Sequence, residues 1–180
     1  MITIISGTNR KGSECLHFAK KYAEICRTLT NEEVKVLSLE DAAHDWFHPD
    51  MYEASQMSPS LIALQDEYMI PADRFIYLIP EYNGGFPGVL KLFLDACSVR
   101  QYDATFKGKK AALVGIATGR AGNLRGMDQL TGVLNHLGTI VLPNKLPISR
   151  IYSIMNKQGE IVDIPTLKVM QRQIDELLAL

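Results

Sequence analysis

The sequence predicts an α/β protein whose parallel sheet carries helices on both faces. Three observations predict it. Apolar strand-like runs and amphipathic helix-like runs alternate along the chain, as in successive βα units. The strand-like runs are apolar throughout rather than at every second residue, which fits strands buried on both sides. The first, third and fourth of them end in loops rich in glycine and hydrogen-bonding residues. In a parallel sheet those loops share one edge, and open α/β sheets bind ligands outside their carboxyl edge.

Ile2 to Ser6 is the first expected strand, and Gly7-Thr8-Asn9-Arg10-Lys11-Gly12-Ser13 the polar loop after it. A helix follows from about Ser13 to Leu29, with Leu16, Ala19, Ala23, Ile25 and Leu29 near helical spacing. Ser13 is its expected N-cap. Val34 to Leu39 reads as the second strand, and residues 41–59 carry no clear pattern. Ser60 to Met69 reads as a helix and Asp73 to Ile79 as the third strand. Pro80-Glu81-Tyr82-Asn83-Gly84-Gly85-Phe86-Pro87-Gly88 follows at once, with two prolines and three glycines. Such a run demands unusual backbone angles. The helix after it spans about Pro87 to Ser98, Pro87 being a plausible first-turn residue.

Ala111 to Ala117 is the fourth expected strand, Thr118-Gly119-Arg120-Ala121-Gly122-Asn123 its loop, and Leu124 to Leu137 the next helix. Gly138 suits the C′ position. Thr139 to Leu142 is a short fifth strand, Ile148 to Met155 extended or irregular, Asn156 to Gly159 a turn, and Pro165 to Leu180 a last helix. No repeat or linker interrupts the pattern, so one domain over residues 1–180 is expected.

Composition narrows the classes. The chain has 180 residues, 47% apolar and 22% charged, with a net charge of −1. A nucleic-acid binder usually shows a basic excess or stripe, so no nucleic-acid partner is expected. No apolar run is long enough to cross a membrane, and the start lacks the basic segment of a secretion signal. Cys15, Cys26 and Cys97 are scattered, odd in number and match no metal or CxxC spacing. Free thiols in a reducing cytoplasm are the expectation.

The loops carry the chemistry. The first offers hydroxyls at Thr8 and Ser13, a guanidinium at Arg10, and the free N–H groups of a helix start. That set suits a phosphate monoester; an ordinary βα turn is the plainer reading. Gly7 and Gly12 have P-loop spacing, but Ser13 stands where that motif needs lysine, so a nucleotide triphosphatase is rejected. In the Pro80 loop, Tyr82 offers a ring, Asn83 a donor and an acceptor, and the glycines bare backbone edges for a planar heterocycle. Gly119 and Gly122 let backbone approach a flat ligand, with Arg120 or neighbouring amides beside developing negative charge.

The segments Gly7 to Ser13, Pro80 to Lys91 and Gly119 to Gly122 resemble the NADPH-dependent FMN reductase family in motif order and spacing. That family includes flavin, quinone, azo and chromate reductases. The resemblance implies a flavodoxin-like fold with strand order 2-1-3-4-5 and FMN at the switch point between the first and third strands. It implies that Thr8, Arg10 and Ser13, with Glu14 and Cys15 beside them, hold the phosphate. Cys15 stands where the family commonly has Asn, so one contact is lost or passes to a backbone amide. Pro80, Glu81, Tyr82, Asn83 and Gly84 would line the isoalloxazine, with Gly119, Arg120 and Gly122 on its other side. Leu92 replaces a common Asn, a departure expected at a helix surface or subunit contact.

The implied activity is transfer of hydride from NADPH (or NADH) through FMN to a small-molecule electron acceptor such as a flavin or quinone. The chemistry sits at flavin N5, so no protein acid or base and no metal is assigned. The resemblance also implies a homodimer or homotetramer. A flavodoxin-like electron carrier without substrate turnover is the alternative, but such carriers are typically strongly acidic. Arg100, Arg125 and Arg150 are the candidates for a nucleotide 2′-phosphate. Trp46 and Phe47, in the aromatic stretch Asp45 to Tyr52, are expected at a subunit contact or at the rim of a neighbour's pocket, or else in the core. Val89, Leu90, Leu92, Phe93 and Leu94 make their helix more apolar than one buried face needs, which suggests a helix-to-helix contact. His44 and His48 lack a third ligand nearby.

Overall fold

A computed structural model describes residues 1–180. Its sheet joins β1 (Ile2–Ser6), β2 (Val34–Ser38), β3 (Arg74–Pro80), β4 (Lys110–Ile116) and β5 (Ile140–Val141) in the order β2-β1-β3-β4-β5, while β6 (Leu146–Ile148) also pairs with β4. Every pairing is parallel. The helices are α1 (Cys15–Leu29), α2 (Pro59–Leu64), α3 (Gly88–Cys97), α4 (Tyr102–Phe106), α5 (Leu124–His136) and α6 (Ile164–Ala179).

Side chains alternate across the strands, so each strand feeds two cores. Ile5, Phe75, Tyr77, Ile79 and Leu113 face α2, α3 and α5. Ile4, Ile76, Leu78, Ala112 and Val114 face α1 and α6. That is why β1, β3 and β4 show no polar alternation in the sequence: neither face of these central strands meets water. One buried polar group stitches the second core. Gln173 of α6 accepts from Tyr22 Oη of α1 at 2.8 Å and donates to the carbonyls of Leu113 and Asn144.

The expected strand order and layering hold, and several elements differ in detail. The helix expected over Ser60–Met69 is α2 followed by a π-helical turn at Gln65–Met69. Gln65 is buried there and donates to Cys97 O, Arg100 O and Thr105 Oγ1. It thereby fixes α4, a short helix that the residue pattern left unrecognised. The expected fifth strand is only two residues long. Leu142 still donates to Ala111 O, but Pro143 after it has no N–H to give to β4. β6 then pairs with the upper half of β4, with Ile116 opposite Ile148.

The aromatic stretch splits. Trp46 is 1% exposed and packs edge-on against Phe93 at 6.0 Å, whereas Phe47 is 78% exposed. The expectation of a shared surface role therefore fails for Trp46, which belongs to its own core. His44 uses its ring on Leu39 O at 2.6 Å. No group of three or more potential metal ligands exists, and no helix is long and apolar enough to cross a membrane.

Candidate active site

Between β1 and β3 the strand order changes direction, because β2 lies outward on one side and β4 on the other. There the carboxyl edge opens into a cleft of about 570 Å³, within the usual size of a small-molecule site. Arg10 to Cys15 form one wall, Pro80 to Gly84 the second, and Ile116 to Gly119 with Ile151 and Tyr152 the third.

The first wall is built for an anion. Gly7 lies so close to β3 that a Cβ there would sit 3.0 Å from Leu78 O, so only glycine fits without a shift. Thr8 Oγ1 accepts the Arg10 N–H at 3.1 Å and Glu40 Oε1 accepts the Gly12 N–H at 2.9 Å. The backbone N–H groups of Thr8, Asn9, Lys11 and Glu14 have no acceptor in the protein. The expected Ser13 cap is formed: Ser13 Oγ accepts from Cys15 N at 3.3 Å and Ser13 O from Leu16 N. Glu14, which directly precedes α1, is already helical (φ −58°, ψ −19°) and makes no capping bond of its own. Apart from the Glu40 carboxylate on Gly12, the loop leaves the free N–H groups before α1 beside Arg10 and Lys11, an arrangement that suits an anion.

The second wall is a tight reversal. Tyr82 and Gly85 exchange both backbone hydrogen bonds, at 3.1 and 3.0 Å. Between them Asn83 and Gly84 both have positive φ, 50° and 75°. Asn-Gly is the pair that tolerates two successive positive φ values. The turn holds Tyr82 so that its hydroxyl meets Thr8 Oγ1 at 2.7 Å, tying the second wall to the first.

The third wall is fixed by Asn123, which the sequence reading left without a role. Asn123 is 1% exposed with φ of 56° and caps α5 by accepting from Gly126 N. Its Nδ2 donates to Ile79 O at 2.9 Å and Pro80 O at 3.1 Å. One side chain therefore locks the end of β3 to the loop after β4. Its signal was present: Asn accepts a left-handed backbone and is a preferred N-cap. The N–H groups from Thr118 through Asn123 have no acceptor in the protein.

Of the residues expected at the site, Arg10, Ser13, Glu14, Cys15, Pro80, Glu81, Tyr82, Asn83, Gly84 and Gly119 line the cleft. Thr8 is buried behind it, joined through Tyr82. Arg120 and Gly122 lie outside the lining; Gly122 packs on Pro147 so tightly that a Cβ would come within 2.6 Å. Lys11, Gly12, Ile116, Ala117, Thr118, Ile151 and Tyr152 complete the walls. Tyr152 carried no local signal. It reaches the cleft because Arg150 N donates to Gly119 O and Ile151 N to Ala117 O.

Cys15 is buried and its thiol donates to Leu78 O at 3.4 Å. Burial pushes that thiol up to about 12, so it stays neutral and serves as a donor and packing group, not a thiolate.

The donor set fits FMN. Unpartnered amides, Ser13 and two cations suit a phosphate dianion, and the two glycine-bearing walls suit a flat ring. Residues 1–152 match the model of the NADPH-dependent FMN reductase family. The chain is 32% identical over 123 residues to a 2-hydroxy-1,4-benzoquinone reductase of a Burkholderia species, covering 67% of each. It is also 32% identical over 112 residues to an NAD(P)H-dependent FMN reductase of Pseudomonas aeruginosa, covering 62% of this chain and 60% of that one. Among solved structures, the flavoenzyme NAD(P)H:(acceptor) oxidoreductase FerB of Paracoccus denitrificans superposes with a TM-score of 0.77 at 23% identity. That match covers 99% of this chain and 94% of the other. The chain belongs to the NADPH-dependent FMN reductase family, with the flavodoxin-like fold and FMN chemistry that define it.

Proposed function

We propose that the protein is an FMN-dependent NAD(P)H oxidoreductase that delivers reducing equivalents to a small flavin- or quinone-like acceptor. FMN, when bound, supplies the hydride chemistry. Arg10, Lys11, Ser13 and the free N–H groups of Lys11 and Glu14 hold its phosphate, with Cys15 filling the space beneath. Pro80, Glu81, Tyr82, Asn83 and Gly84 form one side of the ring site and Thr118 and Gly119 the other. Thr8 orients Tyr82 through their hydrogen bond. The observation that carries this reading is the run of unpartnered amides beside two cations at the switch point of the sheet.

The protein's part is to position donor and acceptor in turn against one open face, since hydride transfer needs reacting atoms about 3–3.5 Å apart. The amides of Thr118 and Gly119 stabilise negative charge on the reduced ring. Residues 1–180 act as one FMN-binding domain, and the reducing cytoplasm suits three unpaired buried thiols. Self-association as a homodimer or homotetramer is supported by the exposed Phe47 and the partly exposed Val89 and Leu92 on α3.

The test is one spectrum and one mixing experiment. Purified protein titrated with FMN should bind it stoichiometrically, and anaerobic NADPH should bleach the bound flavin within seconds. Flavin binding with no bleaching by NADPH or NADH would leave only an electron carrier. Failure to bind FMN at all would overturn the reading.

A further inference from the structure

The arginines of this chain divide into two groups. Arg27, Arg74, Arg100 and Arg172 are all engaged. Arg27 donates to Val34 O, Arg74 to Glu32 and two carbonyls, Arg100 to Asp66 and Arg172 to Glu176. Arg10, Arg120, Arg125 and Arg150 have no carboxylate within 4.0 Å. All of the unpaired ones stand at the carboxyl edge of the sheet. Arg10 lines the phosphate wall, and the other three lie just outside the cleft, next in sequence to its opposite wall or on the helix that follows it.

That cluster is drawn together by the fold. Arg120 follows Gly119, which lines the cleft. Arg150 N donates to Gly119 O at 2.9 Å, so the two loops run side by side. Arg125 sits in the first turn of α5, just after that loop. All three are exposed. The one nearby acid on α5, Asp128, is taken by Lys145 at 2.7 Å, so the guanidiniums stay uncompensated.

Two of these positions oppose stability. Arg125 lies at a helix start that holds no acidic residue, where a cation is unfavourable. Arg150 has φ of 48°, a region that a long side chain rarely adopts and that is enriched at functional sites. Independently, the amides from Arg120 through Asn123 have no acceptor in the protein, although Gly122 and Asn123 are buried. N–H groups without a protein acceptor, set beside three free guanidiniums, form a donor set that suits an external anion. Tyr152, 67% exposed at the same rim, adds a ring on which a base can stack.

We propose that Arg120, Arg125 and Arg150, with the amides of their loop, form a binding site for the phosphate groups of the pyridine dinucleotide donor. This rests on the oxidoreductase reading above. It separates two phosphate sites on opposite sides of the cleft: Arg10 and Lys11 for the flavin, the arginine cluster for the nucleotide. Arg100, a candidate on sequence grounds, is excluded because Asp66 holds it in a two-point contact.

The experiment uses the full chain and the variants Arg120→Gln, Arg125→Gln and Arg150→Asn, singly and together; Asn suits the left-handed backbone at 150. Calorimetry with 2′,5′-ADP, a phosphate-bearing fragment without nicotinamide, reads the site without turnover. Each single change should weaken it roughly tenfold, the lower end for a charge-assisted bond. The triple variant should also lose most of the salt dependence of binding, while its FMN affinity stays within about twofold, a margin well below one such bond. Steady-state KM values then locate the phosphate. A rise for NADPH alone assigns the cluster to the 2′-phosphate, and an equal rise for NADH assigns it to the pyrophosphate; both support the proposal. Unchanged 2′,5′-ADP affinity in the triple variant, or a loss of FMN affinity in its place, overturns it. If the protein binds no FMN, the flavin reading fails, but the 2′,5′-ADP titration still decides the arginine site.

Discussion

The two edges of the sheet use charge in opposite ways. At the amino edge, Arg74 meets Glu32 at 3.0 Å and the carbonyls of Leu177 and Leu178. Lys109 donates to Met69 O and Ile70 O, and Lys35 lies between Glu33 and Glu67. At the carboxyl edge, Arg10, Arg120, Arg125 and Arg150 have no carboxylate partner, and consecutive backbone amides have no acceptor. The same residue type ties the fold shut at one end and is left open at the other. Charge that is satisfied internally stabilises; charge that is left unsatisfied at a concave edge recruits a ligand.

The sharpest way to break this contrast is to disturb the open edge without touching a charge. A Cβ at Gly115 would lie 2.0 Å from Gly122 O. Gly115→Ala should therefore push the loop after β4 outward and destabilise the fold by about 3 kcal/mol, at the upper end for overpacking. In a chain of this size that lowers Tm by roughly 10 °C. A melting curve unchanged from wild type would show that the loop is not packed as described.

A paired substitution tests the contrast directly. Arg74→Ala should lose about 2 kcal/mol of stability, as for a part-buried charged donor, and leave FMN affinity unaltered. Arg10→Ala should do the reverse: FMN affinity falls roughly tenfold while stability stays within about 0.5 kcal/mol. Urea unfolding and fluorescence quenching of FMN measure the two quantities. If both variants move both quantities alike, the edges do not differ in the way proposed.

Tyr82→Phe is a smaller change. It removes the bond to Thr8 that joins two walls of the cleft and keeps the ring. The expected loss is about 1 kcal/mol, or roughly fivefold in FMN affinity. A larger loss of stability than of affinity would make the bond a fold contact alone.

The smallest effect concerns pH at the amino edge. Burial pulls the Lys109 ammonium down to about 8 from 10.5. Between those values the unfolded chain binds more protons than the folded one, so this group adds stability as pH rises through that window. Below about 8 its contribution no longer changes with pH. Urea midpoints at pH 7.5 and 9.5 should show that increment in the wild type and not in Lys109→Met.

Much of the fold was legible in order. Strand and helix alternation along Ile2–Ser6, Val34–Leu39, Asp73–Ile79 and Ala111–Ala117 falls within one or two residues of the observed strands, because buried strands and amphipathic helices write themselves in local hydrophobicity. The loops before α1, after β3 and after β4 were legible as site walls because glycine and Asn mark backbone that only they adopt easily. α4 was not, since Gln65 fixes it from a distance. Nor was the break between β5 and β6, where Pro143 ends one pairing and β4 captures the next segment.

The sequence by itself thus determined the layers, the family and which loops bear ligand-binding groups, because each depends on residues within a few positions of one another. Only the tertiary structure decided that Trp46 is core while Phe47 is surface, that Tyr82 closes on Thr8, and that Asn123 locks β3 to the third wall. It alone separated the engaged arginines from the free ones. Whether a guanidinium finds a carboxylate depends on which distant segments the packed sheet brings beside it, and spacing along the chain does not encode that.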